Sequence, residues 1–192
     1  MAQTAITPGT YALGPDNGSL TVHTRRGGAA AKAAHDLTIE VGSWEATMTL
    51  ADDPTEDRLA LSAGSTSLRV REATGGMRSL DDDDRASIAQ TIDEEVLKGT
   101  SIAFASTRVA RGDDGRLTVE GELELAGTSK PVAFELGLAD GRLAGRTTIK
   151  QTDWGIKPYS ALFGTLKVKD EVDIAIDAAL PEPAGRRGEA HG

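Results

Sequence analysis

The chain has 192 residues, 39% of them hydrophobic, no cysteine and a formal net charge of -9. That length fits one domain with a core large enough to stand without disulfides or metals, and the missing cysteines exclude disulfide frameworks, thiolate zinc clusters and thiol nucleophiles. The acidic balance argues against nucleic acid as a partner, because phosphate neutralisation needs a surplus of Lys and Arg.

Residues 1–9 lack periodicity and are expected to form a flexible arm. A strand starts near Thr10–Leu13, Gly14-Pro15-Asp16-Asn17-Gly18 turns the chain, and Leu20, Val22 and Thr24 alternate with polar residues as a second strand. Arg26 to Ala34 reads as a loop with one helical turn. Leu37, Ile39 and Val41, then Ala46, Met48 and Leu50, give a long strand bent or bulged at Gly42-Ser43. Shorter strands follow around Leu59–Ala63 and Leu68–Val70.

One helix interrupts the β pattern. Asp81 to Asp84 precede Ile88, Ile92, Val96 and Leu97 at helical spacing, and Gly99 ends the run. The four aspartates invite a metal reading, but side chains in succession on a helix splay apart, and carboxylates at a helix start meet the positive end of its dipole. Period two returns with Ile102 and Phe104. The stretch Leu117–Leu138 reads as a hairpin: Leu117, Val119, Gly121, Leu123 and Leu125 occupy alternate positions, Ala126 to Ser129 turn, and Val132, Phe134, Leu136 and Leu138 alternate again. Pro131 is expected at the start of that second strand. Asp140-Gly141 turns into Leu143–Ile149, Gln151–Lys169 is the most aromatic stretch, and Val172, Ile174, Ile176 and Ala178 form the last strand.

Some nine strand signals joined mostly by hairpin turns predict an all-β fold: an antiparallel closed β-barrel of about eight strands with one packed α-helix. The domain is expected over residues 10–180, with residues 181–192 as a disordered tail. No apolar run reaches the ~20 residues of a spanning helix, so no stable membrane insertion is expected. The opening MAQTAITPGTY has no basic segment followed by an apolar one, so a cytoplasmic location is expected.

The pattern V-x-G-x-L-x-L-x-G-x-S-K-P-V over Val119–Val132 resembles the YceI-like family of lipocalin-like barrels that bind polyisoprenoids and other long apolar molecules. The stretches Gly14–Ser19, Ile102–Ser106, Thr152–Gly155 and Asp170–Ile174 follow in the order and spacing of that family. Many of its members are exported, from which the N-terminal reading departs. The resemblance implies a barrel interior that takes a long hydrocarbon chain, such as the tail of a quinone or a prenyl phosphate, for sequestration or delivery. Its wall is expected to include Val22, Leu37, Ile39, Met48, Phe104, Leu123, Phe134, Trp154 and Phe163, assigned by alternation alone. His35 is either an anchor for a ligand's polar head or a structural histidine bonded to a nearby turn; Trp154, Lys157 and Tyr159 form either an amphipathic lip or a plug at one end of the barrel.

No G-x-S-x-G elbow, phosphate loop or pair of carboxylates at catalytic spacing occurs, so neither an enzyme nor a cofactor or metal is expected. The expected partner is an apolar small molecule or lipid, and the reading leaves room for a homodimer. The alternative is a structural or stress-related interaction module whose barrel is filled by its own side chains. A third reading, catalysis by His35 on a bound ligand, would require turnover that is lost on His35→Ala.

Overall fold

A computed structural model describes residues 7–161 and 166–184 of the chain. The strands are β1 (Gly9–Leu13), β2 (Gly18–Thr24), β3 (Arg26–Gly27), β4 (His35–Val41), β5 (Trp44–Leu50), β6 (Arg58–Ala63) and β7 (Leu68–Gly75). Helix α1 (Asp82–Thr91) follows, and then β8 (Ile102–Arg111), β9 (Arg116–Leu125), β10 (Thr128–Ala139), β11 (Arg142–Lys150), β12 (Ser160–Ala161), β13 (Leu166–Val168) and β14 (Glu171–Ala179). Among the described residues, eleven of the strands form one antiparallel sheet in the order β1-β5-β6-β8-β9-β10-β11-β14-β2-β4-β7, and β12-β13-β3 form a small second sheet.

The main sheet is strongly curled. Strands β4 and β5 lie near its opposite ends, yet only Gly42 and Ser43 separate Val41 from Trp44. Three peptide steps span at most about 11 Å, so the two ends must approach one another. Backbone hydrogen bonds continue the two ladders into this link, from Gly42 N–H to the Ser67 carbonyl at 2.9 Å beyond β4–β7 and from Gly64 N–H to the Ser43 carbonyl at 3.1 Å beyond β5–β6. The result is a large half-barrel of lipocalin-like form, with eleven strands where about eight were expected, and no ladder joins β1 to β7 among the described residues. Gly42-Ser43 is therefore a corner between strands at opposite ends of the sheet. The expected single bent strand is two strands with different neighbours, because β4 pairs with β2 and β7 while β5 pairs with β1 and β6.

The Leu117–Leu138 hairpin, β9–β10, is tighter than its sequence indicated. Leu125 pairs with Thr128, leaving Ala126 and Gly127 as a two-residue turn, both with positive φ (49° and 77°), as a type I′ turn requires. Pro131 falls inside β10, opposite Glu122. It is tolerated because β10 pairs with β11 only from Leu136 onward, so its missing N–H costs no ladder bond on that side.

Helix α1 starts with a capping box, Asp84 N–H donating to Asp81 Oδ1 at 2.8 Å and Asp81 N–H to Asp84 Oδ2 at 3.2 Å. It widens into a π-type turn over Ile92–Val96 and ends where Lys98 and Gly99 take positive φ. Arg85 ties it to β7 through the Val70 and Arg71 carbonyls, and Ser65 Oγ donates to Asp93 Oδ1 at 2.6 Å. The expected arm and tail are partly structured. Thr7 accepts a hydrogen bond from the Tyr11 hydroxyl, and Ala184 bridges to Thr10 within the stretch read as a disordered tail. No helix among the described residues is long and apolar enough to cross a membrane.

Candidate apolar binding cavity

The inward side chains of the half-barrel fall into two sets. Tyr11, Leu13, Met48, Leu50, Leu117 and Val119 are packed to 5% exposure or less. This filled end is pinned by a wholly buried carboxylate: Asp57 receives Arg111 Nε and Nη2, each at 2.6 Å, and the Ala51 N–H at 2.8 Å. Bonding and proximity to Asp57 raise the Arg111 guanidinium above its ordinary range, so it stays charged.

The other set surrounds a cavity of about 570 Å³. Val22 on β2, Leu37 and Ile39 on β4, Phe104 on β8, Leu123 on β9 and Phe134 on β10 all line it, as the alternation indicated. Of these, Val22, Leu37 and Phe134 are only partly buried although they point inward, and Leu61, Val132, Ile174 and Ile176 share that state. Apolar side chains in a filled core are normally covered by one another. These face empty space. Phe104 and Phe134 stack obliquely across β9, their ring centroids 5.3 Å apart. Gly121 makes that possible: a Cβ there would lie 2.4 Å from the Ala105 carbonyl oxygen and 2.6 Å from the Phe104 ring.

Two expected wall residues lie elsewhere. Met48 points into the filled end between its strand partners Tyr11 and Leu59, so alternation gave its face correctly while its height along the barrel excludes it from the cavity. Trp154 sits in a 3-10 turn over Gln151–Trp154, buried, with its indole N–H donating to the Leu123 carbonyl at 2.8 Å, and does not line the cavity. Phe163 lies outside the described residues. Tyr159 lines the cavity and is 48% exposed, so the cavity reaches the surface there, whereas Lys157 borders a neighbouring hollow. His35 lines the cavity, and its Nε2–H donates to the Arg78 carbonyl at 2.7 Å, tying β4 to the segment before α1.

The helix contributes a wall that was not assigned from sequence. Ile88, Thr91, Ile92, Val96 and Leu97 line the cavity from α1 and the turn after it. Their helical spacing was visible, but nothing local says which surface a helix covers. Polar groups are few. Thr24 Oγ1 is buried on the lining with no hydrogen-bond partner among the described residues, and Gln151 spends its amide on the Lys169 carbonyl.

Outside the barrel, on β14, Asp173 is almost wholly buried by its neighbours. It accepts from the Thr148 hydroxyl at 2.6 Å and pairs with Arg25 and, at 3.4 Å, with Arg146. The Thr148 bond and the two guanidinium groups hold its carboxyl below the usual range against the opposing effect of burial. The Asp81–Asp84 run holds no metal-type cluster among the described residues; Asp84 instead caps the helix and pairs with Arg78, which together depress its carboxyl.

An apolar cavity inside a curled antiparallel sheet, with one helix laid across it, defines a lipocalin-like β protein. The chain belongs to the YceI-like domain family, whose model matches residues 11–180. Burkholderia cenocepacia BcnA has a similar structure, with a TM-score of 0.63 at 14% identity, covering 83% of this chain and 94% of that one. A Campylobacter jejuni YceI protein is similar at a TM-score of 0.55 and 14% identity, over 75% of this chain and 84% of its own. A mutant of the C. jejuni protein crystallised with a monobromobimane guest gives 0.56 at 12% identity, with the same coverage. None of the curated protein sequences compared with the chain matches it.

Proposed function

We propose that this protein binds one long apolar molecule of the polyisoprenoid class, such as a prenyl quinone or prenyl phosphate, and sequesters or delivers it without chemical change. The observation that carries this reading is the ring of inward-facing, half-buried apolar side chains around the cavity, among them Val22, Leu37, Phe134 and Ile174. Each methylene transferred from water to that wall contributes about 0.8 kcal/mol, and a chain of ten or so offsets the cost of ordering it. Membership of the YceI-like family supports the same ligand class. The seam between β4–β7 and β1–β5–β6 is read as functionally closed, with α1 held against β7 by Arg85.

Filling the cavity tests the proposal. Leu37→Trp and Ile174→Trp place a ring where the ligand chain would lie. Each is expected to weaken uptake of geranylgeraniol about tenfold or more while leaving thermal stability equal or higher. Unchanged uptake in variants shown to be folded would refute the assignment of the cavity.

A further inference from the structure

Beside the mouth of the apolar cavity lies a second hollow, of about 450 Å³, lined by Lys157, Lys167 and Lys169 together with the Gly27-Gly28 backbone, Ser160 and Asp170. The small sheet builds it. Strand β13 pairs with β3, the Val168 N–H donates to the Tyr159 carbonyl at 3.0 Å, and the Lys169 N–H to the Arg25 carbonyl at 2.8 Å. These bonds hold the three lysine positions around one glycine turn. A Cβ on Gly27 would come within 3.3 Å of Lys169 Cγ, so the lysine stem lies directly against the glycine backbone.

Three lysines on the wall of one hollow concentrate positive charge there, and in a chain of net charge -9 carboxylates are plentiful. Yet among the described residues none of the three lysines forms an ion pair, although nine such pairs are found elsewhere. The one acid on the wall, Asp170, turns its oxygens to Thr152, accepting from its N–H at 2.8 Å and its hydroxyl at 2.6 Å, and the hydroxyl bond in particular holds it ionised below the ordinary range. One carboxylate leaves two positive charges unbalanced. Lys167 and Val168 line both hollows, so the apolar cavity and the basic one adjoin at that strand. Thr24, whose buried hydroxyl has no partner among the described residues, lies on the apolar wall one residue before Arg25, where β13 is anchored.

We infer that this second hollow is a head-group site for a phosphate or diphosphate ester, so that the ligand of the proposed function is an anionic lipid whose chain fills the barrel and whose head is held by Lys157, Lys167 and Lys169. The inference rests on the proposed apolar-chain binding. Lysine suits the task because a mobile point charge follows a phosphate without demanding one geometry. A neutral quinone head would leave the three cations unpaired.

The full chain is titrated with geranylgeranyl phosphate, geranylgeraniol and inorganic pyrophosphate, alongside a Lys157→Gln/Lys169→Gln variant whose two side chains touch only the basic hollow. The phosphate is expected to bind at least tenfold tighter than the alcohol, with an advantage that shrinks as salt rises. In the variant most of that advantage disappears and the alcohol binds as before. Equal affinity of phosphate and alcohol in the wild-type chain, or an advantage that survives in the variant, would overturn the head-group site while leaving the apolar cavity intact. Pyrophosphate that binds as tightly as the prenyl phosphate would also overturn it, since the site would then serve a free anion. If neither the alcohol nor the phosphate binds, the apolar-chain reading fails and the head-group site fails with it.

Discussion

Asp57 and Arg111 come from segments more than fifty residues apart and meet at the filled end of the barrel, where the carboxylate has no contact with water. Removing only the cation leaves a buried, unpaired charge, the costliest way to break such a pair. Arg111→Met is expected to lower unfolding free energy by about 3–5 kcal/mol, read by chemical denaturation. An Asp57→Leu/Arg111→Met double variant should be more stable than the single one, and a single variant within about 1 kcal/mol of wild type would contradict the structural role assigned to the pair. Asp173 has a pH signature. Its folded-state carboxyl is depressed, first by the Thr148 bond and then by Arg25 and Arg146, so it contributes stability in full above the ordinary carboxylate value of about 3.9 and loses it as pH falls through the lower folded value. The stability gap between wild type and Asp173→Asn should therefore be widest near neutral pH and narrow under acid. A gap that is constant from pH ~7 down to ~3 would show that the charge is not what matters. Neither Asp57 nor Asp173 could be singled out from sequence, since an acidic residue in a strand or turn looks the same whether solvated or paired with an arginine distant in the chain.

At the scale of elements, the β9–β10 hairpin shows how far local pattern reaches. Residues Leu117 to Leu125 alternate buried and exposed without a fault, as their side chains dictate. Gly121 sits in that series not for flexibility but for space, because its missing side chain lets the Phe104 ring cross β9 toward Phe134. Gly121→Ala should cost about 1–3 kcal/mol by overpacking, seen as a lowered Tm, and should weaken uptake of geranylgeraniol because Phe104 is pushed into the cavity. A variant as stable as wild type, with unchanged uptake, would remove Gly121 from this account. Strand β8 shows where pattern stops: the register shift between Ser106 and Arg108 moves the inward face from the even position Phe104 to the odd position Val109. A bulge of this kind depends on the neighbouring strand, to which Ser106 is tied by accepting from the Leu59 N–H. Helix α1 was legible in type and start through its aspartate cap, but its use as a wall of the cavity depends on β7 and on Asp93 reaching Ser65.

For the whole molecule, the all-β class and the single helix followed from alternation and from the family pattern at Val119–Val132, and alternation placed Val22, Leu37, Ile39, Phe104, Leu123 and Phe134 on the inward face. The corner at which the sheet folds back did not follow from either. It is set by short links such as Gly42-Ser43 that join strands from opposite ends of the ladder, and a two-residue link reads locally as a bend. The division of the interior into a filled end and a hollow one was equally hidden, because Met48 and Leu37 have the same pattern in sequence and differ only in height along the barrel. That division is what the proposed carrier role requires of the fold. A barrel filled throughout would leave no room, and one hollow throughout would lose the buried contacts and the Asp57–Arg111 pin that stabilise it. The most direct measurement is native mass spectrometry of the protein purified from its own host, followed by organic extraction and identification of what is released. The account predicts one prenyl or related long-chain molecule per chain, carrying a phosphate or diphosphate if the lysine hollow also acts as assigned. Protein that leaves its host empty, and stays empty when offered both prenyl alcohols and prenyl phosphates, would contradict it.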